Sequence, residues 1–214
     1  MRELFQTELD ALREQLGDMC AQAAEAMRAA TRAVLTADGE LAARVVAADA
    51  ELDVARDRCD DTAQRLLALQ APVAGDLRLV LTAVHCSDKI ERMGDLAAHI
   101  ADTARIRQPE RVVPAELTDA FTALGTITAA MADRLVELIR DPGKGGFAEL
   151  NETDQDVDAR HVGVLETITR EDWPHGIPSA TSLALLVRYY ERFADQAVSV
   201  AKRLDFVVTG VMAA

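Results

Sequence analysis

Ile90-Glu-Arg-Met-Gly-Asp-Leu-Ala97 and Tyr190-Glu-Arg-Phe-Ala-Asp-Gln-Ala197 are the two stretches on which the reading of this chain turns. Followed outward, the first belongs to a row of apolar or small residues at Leu79, Ala83, Cys86, Ile90, Met93, Ala97 and Ile100. The second belongs to a matching row at Leu186, Tyr190, Phe193, Ala197, Val200, Leu204 and Val207. Both rows alternate steps of four and three, which is the packing seam of a long helix. Glu91 and Asp95, like Glu191 and Asp195, stand two positions before seam residues. Two positions are about 200° of rotation on a helix, so the acids are expected to point away from the seam.

A second pair of acidic motifs repeats in the same way. Asp49-Ala-Glu-Leu-Asp53 matches Asp154-Gln-Asp-Val-Asp158. Asp49 and Asp53 each follow an expected seam residue, Ala48 and Leu52, by one; Asp154 and Asp158 follow Thr153 and Val157. Asp154 stands 105 positions after Asp49, and Glu191 stands 100 positions after Glu91. The chain therefore reads as a duplication that has lost five residues in a turn of the second copy, where loss is tolerated.

Breaks in the helical pattern divide the rest. Asp38-Gly39 ends a first helix over 2–36, and Pro72 ends a second over 39–70 and opens a third at its first turn. Gln108-Pro109 through Pro114 is the longest interruption. A fourth helix is expected over 115–140, stopped by Asp141-Pro-Gly-Lys-Gly-Gly146. A fifth runs to 171, and Trp173-Pro-His-Gly-Ile-Pro178 forms the turn before a sixth. No segment alternates with period two, so no sheet is expected. Short connections make neighbouring helices antiparallel. The expected fold is all-α: two tandem, pseudo-symmetric three-helix bundles, over 1–108 and 115–214.

Composition narrows the function. Half of the 214 residues are hydrophobic, so a core is not in doubt, and aromatics at 4% suit thin Ala-rich helices. The 36 acids against 23 lysines and arginines give a formal charge of −13, which repels nucleic acid. The uncharged run from Phe121 to Ala132 is too short to span a bilayer. The N-terminal residues lack the apolar stretch of a secretory signal. Cys20, Cys59 and Cys86 are odd in number and far apart, as reduced buried thiols of a cytoplasmic protein would be.

Carboxylates at i and i+4 lie about 5–6 Å apart at Cβ and repel each other. One such pair is usually just a wet, charged face. Four in matched register ask for a common reason, and a bound cation supplies it. The candidate metal ligands are Asp49, Asp53, Glu91 and Asp95 in the first copy, and Asp154, Asp158, Glu191 and Asp195 in the second. Oxygen donors of this kind suit magnesium, manganese or iron, and also bind zinc. His85, His99, His161 and His175 form no repeated ligand spacing. No nucleophile elbow, phosphate loop or dinucleotide fingerprint is present. The leading reading is thus a metal-binding, non-catalytic scaffold with no catalytic residues. The alternatives are a carboxylate-bridged metalloenzyme on a helical bundle, and an acidic homodimer without metal. Against the enzyme, the chain lacks the Glu-x-x-His pairs of di-iron bundles.

These motifs resemble those of the PhoU family of phosphate-uptake regulators. The resemblance rests on Leu69-Gln-Ala-Pro-Val-Ala-Gly-Asp-Leu-Arg78, on Asp88-Lys-Ile-Glu-Arg-Met-Gly-Asp95 and, more weakly, on Tyr190-Glu-Arg-Phe-Ala-Asp195. It covers almost the whole chain. It implies metal clusters on the bundle surface, held by the eight carboxylates named above. It also implies a cytoplasmic negative regulator that links the ATPase subunit of a phosphate ABC transporter to a sensor histidine kinase and reaches the membrane only through those partners. The second copy departs from the family pattern. Ile177-Pro-Ser-Ala-Thr-Ser replaces the Gln-x-Pro stretch, Ala194 replaces a glycine, and Gln196 stands where a histidine is common. These departures imply a second site with weaker or different metal preference.

Overall fold

The computed structural model describes residues 2–143 and 145–212. Among them are six α-helices and no strand: α1 (Arg2–Thr36), α2 (Gly39–Gln70), α3 (Ala74–Arg107), α4 (Thr118–Arg140), α5 (Gly146–Ile168) and α6 (Gly176–Thr209), with a short 3-10 turn at Ala115–Leu117 before α4. This is the all-α arrangement the seams predict. The boundaries differ at two prolines. Pro72 precedes α3, whose N-cap is Val73. Pro178 lies inside the first turn of α6, where the backbone N–H it lacks would have no helical acceptor. The stop after α4 includes Lys144, which lies outside the described residues.

Local chemistry explains the sharpest turn. Asp38 caps α2 by accepting a hydrogen bond from the Leu41 amide at 2.8 Å, a contact worth about 1 kcal/mol. Ala37 takes the left-handed conformation after α1, with φ 55°. The Gln108 side chain then closes over Gly39, where an added Cβ would lie 2.1 Å from its Oε1.

Every seam residue expected on α3 is buried, and all those on α6 except the half-buried Val207. A single hydrophobic cluster runs through both repeats. α1 and α4 pack antiparallel at its centre: Gly17 faces Arg140, Arg28 pairs with Asp133, and Thr31 lies against Gly125. Positions 28 and 133 are equivalent under the 105-residue offset, so this ion pair sits where a two-fold relation brings a position against its own copy. α3 and α6 also run antiparallel, with the His99 and Tyr189 rings in tilted contact at 5.3 Å and Arg107 donating to Ser182 at 2.9 Å. Helices α2 and α5 lie outside this four-helix centre, against α3 and α6. Cys20, Cys59 and Cys86 are all free and buried. Among the described residues no helix is long and apolar enough to cross a membrane.

Candidate metal centre

The acids lie where α2 meets α3 and where α5 meets α6. The seam of α2 is Ala42, Val45, Leu52, Cys59, Ala63 and Leu66, all buried. Its alternating spacing leaves two places in the middle, and Asp49 and Arg56 fill them. The seam of α5 is Leu150, Val157, Val164 and Ile168, with Asp154 and His161 in the corresponding gaps. Here the structure corrects the expected register. Ala48 is exposed rather than a seam residue, and Asp49 and Asp154 stand on the seam line itself. Nor do all the acids of α3 and α6 point freely outward: Glu191 is 8% exposed, and Glu91 and Asp95 are half-buried.

Close approach of α2 and α3 needs Gly94. A Cβ there would sit 2.3 Å from Leu52 Cδ2 and 3.3 Å from Asp49 Oδ1. The second repeat carries Ala194 at this place, and Val157, one methylene smaller, where the first has Leu52. The two changes compensate, so the alanine does not force α5 and α6 apart.

The electrostatics show which acids face each other. Burial raises the Asp49 pKa, and the negative charges of Asp95 and Asp53 raise it further, against a smaller lowering by His99. Burial also raises Glu91, helped by Asp95 and opposed by Arg56. In the second repeat burial, with Asp158, Asp195 and Glu191, pushes Asp154 up to about 6. Glu191 and Asp195 are raised chiefly by burial, with Arg188 opposing in both. The structure therefore brings Asp49 and Asp53 together with Glu91 and Asp95, and Asp154 and Asp158 together with Glu191 and Asp195. Their carboxylates stop short of a preformed chelate: among the described residues, no group of three or more His, Cys, Asp or Glu is gathered closely enough to hold a metal ion.

Cations of the protein itself occupy part of each cluster. Arg92 reaches Asp95 at 2.5 Å on a half-exposed surface, and Arg188 pairs with Glu191. Arg56 feels Asp57, Glu91, Asp53 and Asp88. The places of Arg56 and His161 were readable from the gaps in the seams of α2 and α5, whereas Arg188 lies off the α6 seam, three residues before Glu191. In the second repeat two carboxylate oxygens, Asp154 Oδ1 and Glu191 Oε2, are buried with no hydrogen-bond partner. A buried acceptor without a donor costs about 1–3 kcal/mol, more when charged. Either a proton or a hard cation removes that cost, and an all-oxygen donor set fits such a cation. The residues present thus fit a metal ion, most clearly in the second repeat.

Comparison with known proteins bears on the whole chain. The PhoU domain matches twice, over residues 16–104 and 121–204. The phosphate-specific transport system accessory protein PhoU homolog 1 of Mycobacterium leprae is 40% identical over 98% of this chain and 95% of its own length. PhoU homolog 2 of Mycobacterium tuberculosis is 39% identical over 98% of this chain and 99% of its own. The crystal structure of the phosphate transport system regulatory protein PhoU from Streptococcus pneumoniae superposes with a TM-score of 0.89 at 23% identity, covering 98% of this chain and 99% of that one. PhoU from Pseudomonas aeruginosa gives 0.85 at 24% identity, over 97% and 100%. At that identity the two crystal structures speak to the fold alone.

Proposed function

Because the chain belongs to the PhoU family, matched in both repeats, we propose that it is an accessory regulator of a phosphate transport system that binds metal ions and works without catalysis. It acts as a cytoplasmic adaptor between the ATPase subunit of a phosphate ABC transporter and a sensor histidine kinase. When phosphate is plentiful it holds the kinase inactive and restrains uptake. The adaptor role is supported by relatives that carry accessory-protein names and align along nearly their full length.

The metal part is supported by one observation above the others: in each repeat a half-buried aspartate, Asp49 or Asp154, faces further carboxylates whose charge raises its pKa, and the second repeat leaves two carboxylate oxygens unpaired. Asp49, Asp53, Glu91 and Asp95 hold the ion in the first repeat; Asp154, Asp158, Glu191 and Asp195 hold it in the second. Bound there, the ion supplies positive charge that ties α2 to α3 and α5 to α6. Iron, zinc, manganese and magnesium all fit the donors.

Two experiments test this. Elemental analysis of protein purified without chelator is expected to find divalent or ferric ions, reduced by more than half in a Glu91→Gln, Asp95→Asn, Glu191→Gln, Asp195→Asn variant. Metal content at background in the parent protein removes the metal part. Affinity capture from cytoplasmic and membrane extracts, with and without phosphate, is expected to recover a transporter ATPase or a sensor kinase. Recovery of neither under both conditions removes the adaptor part.

A further inference from the structure

The two acidic clusters differ in the charges beside them. In the first repeat Asp57 and Asp88 stand next to the four candidate ligands without belonging to them. By the offsets of 105 and 100 residues, Val162 and Arg188 take their places in the second. Arg56 of α2 is held by Asp57 at 2.9 Å. It feels Asp88 as well as the candidate ligands Glu91 and Asp53. Acids outside the ligand set therefore share this cation in the first repeat. The second repeat has His161 at that position, and neither of the two extra acids.

Arg188 has no such diversion. On α6 the only acid within four residues of it is Glu191, and that is the carboxylate it engages. Glu191 is 8% exposed, the deepest ligand of its cluster. Its Oε1 takes the Arg188 guanidinium, while its Oε2 and Asp154 Oδ1 are buried with no hydrogen-bond partner. The positive charge of Arg188 also bears on Asp195, so one side chain acts on two of the four ligands. Arg92 and Arg192 do not make the repeats differ, because both carry an arginine there. Arg92 pairs with Asp95 where both side chains are open to water, 41% and 30% exposed.

Two cations drawn to one carboxylate repel each other, so an ion and the guanidinium cannot both rest on Glu191. We propose that Arg188 is the built-in counter-ion of the second cluster and competes with metal there: it leaves Glu191 when an ion is bound, and the second site binds more weakly than the first. This competition presupposes the metal binding proposed above and adds the residue that sets the two sites apart. Half of the Arg188 side chain already faces water, so the released guanidinium passes into solvent. Arg188 thus stabilises the unloaded protein and opposes its loading, two effects of opposite sign.

The test is a manganese(II) titration of EDTA-stripped, desalted protein, with free manganese read by electron paramagnetic resonance. Glu91→Gln with Asp95→Asn silences the first cluster and leaves the second to be read alone. In that background Arg188→Gln is expected to tighten manganese binding at least tenfold. Arg188→Lys keeps the charge and is expected to bind near the background value. In EDTA, Arg188→Gln is expected to melt below the background protein and to gain more from added manganese, a pair of shifts that a purely structural residue would not give. In reverse, Asp57→Val with Asp88→Arg is expected to weaken the first site at least tenfold, read with Glu191→Gln and Asp195→Asn silencing the second. Manganese affinity unchanged or weakened by Arg188→Gln overturns the competition and leaves the metal sites standing. Manganese bound by neither cluster, with or without Arg188→Gln, removes the metal sites and the competition with them.

Discussion

Replacing Gly94 by alanine tests how the acidic helices are held together. The added Cβ lies 2.3 Å from Leu52 Cδ2, well inside contact distance, so the buried Leu52 side chain must swing toward the cavity it lines between α1 and α2. Overpacking of this kind costs about 1–3 kcal/mol. Alanine regains about 1 kcal/mol of helix propensity over glycine, so the net loss is about 1 kcal/mol. Leu52→Val alone removes a buried methylene and costs about 1 kcal/mol. The two together reproduce Ala194 against Val157, so the clash vanishes while the propensity gain stays. The double variant is therefore expected near parental stability, with a coupling energy of about 1–2 kcal/mol. Thermal unfolding in EDTA reads this as single variants melting about 2–4 °C low and a double variant restored. Losses that simply add, to within about 0.5 kcal/mol, would refute the account of how α2 and α3 approach.

Other perturbations follow from single contacts. Asp154 is held up to about 6 in the folded protein, against about 3.9 when unfolded. Its protonated form is the stable one, so its contribution is complete below about pH 4 and lost as pH climbs through about 6. The full shift is worth about 3 kcal/mol, and screening of this half-buried group reduces it to about 1–2 kcal/mol. Asp154→Asn is therefore expected to raise the melting temperature in EDTA by about 2–6 °C at pH 7 and to leave it unchanged near pH 4. Thr31 Oγ1 lies 3.1 Å from the buried Tyr190 hydroxyl and also donates to the Met27 carbonyl at 2.8 Å. Tyr190→Phe should cost about 1 kcal/mol and Thr31→Val about 1–3 kcal/mol in denaturant unfolding, because only the second leaves a buried phenol unpaired. Burial pushes the Cys59 and Cys86 thiols up to about 12 and raises Cys20 well above its ordinary value. Iodoacetamide at pH 8 should leave all three unmodified in the native protein and alkylate all three in guanidinium.

The sequence carried the fold further than it carried the site. Four-three spacing placed the seams of α3 and α6, because those two faces are apolar or small at every step. It misplaced the seam of α2, where Ala48 looked apolar and Asp49 did not. The missing signal was the gap itself. Ala42, Val45, Leu52, Cys59 and Leu66 keep the spacing, and Asp49 and Arg56 take the vacant places. Pairing each with its copy, Asp154 and His161, would have moved the acids from a wet face to an interface. Burial of Glu191 was beyond the sequence, because it depends on how closely α5 lies against α6. Prolines marked the breaks but not the first helical residue, since proline is tolerated both before a helix and in its first turn.

The two repeats agree at their acids and differ in how each surrounding contact is met. Leu52 with Gly94 becomes Val157 with Ala194, the same space divided differently. Thr31 opposite Tyr190 has Val136 and Ile90 at the equivalent places, a polar pair exchanged whole for apolar residues, which costs little when both partners change. Each exchange keeps its own side self-sufficient. The contact between α1 and α2 follows the same rule. There Met131 and Arg134 of the second repeat correspond to Ala26 and Ala29, while Gly146 and Glu149 correspond to Leu41 and Arg44, so the bulk and the cation move from one helix to the other. Volume and charge are thus kept across each pair of helices while the helix that supplies them changes, which is how two copies diverge around one packing plan.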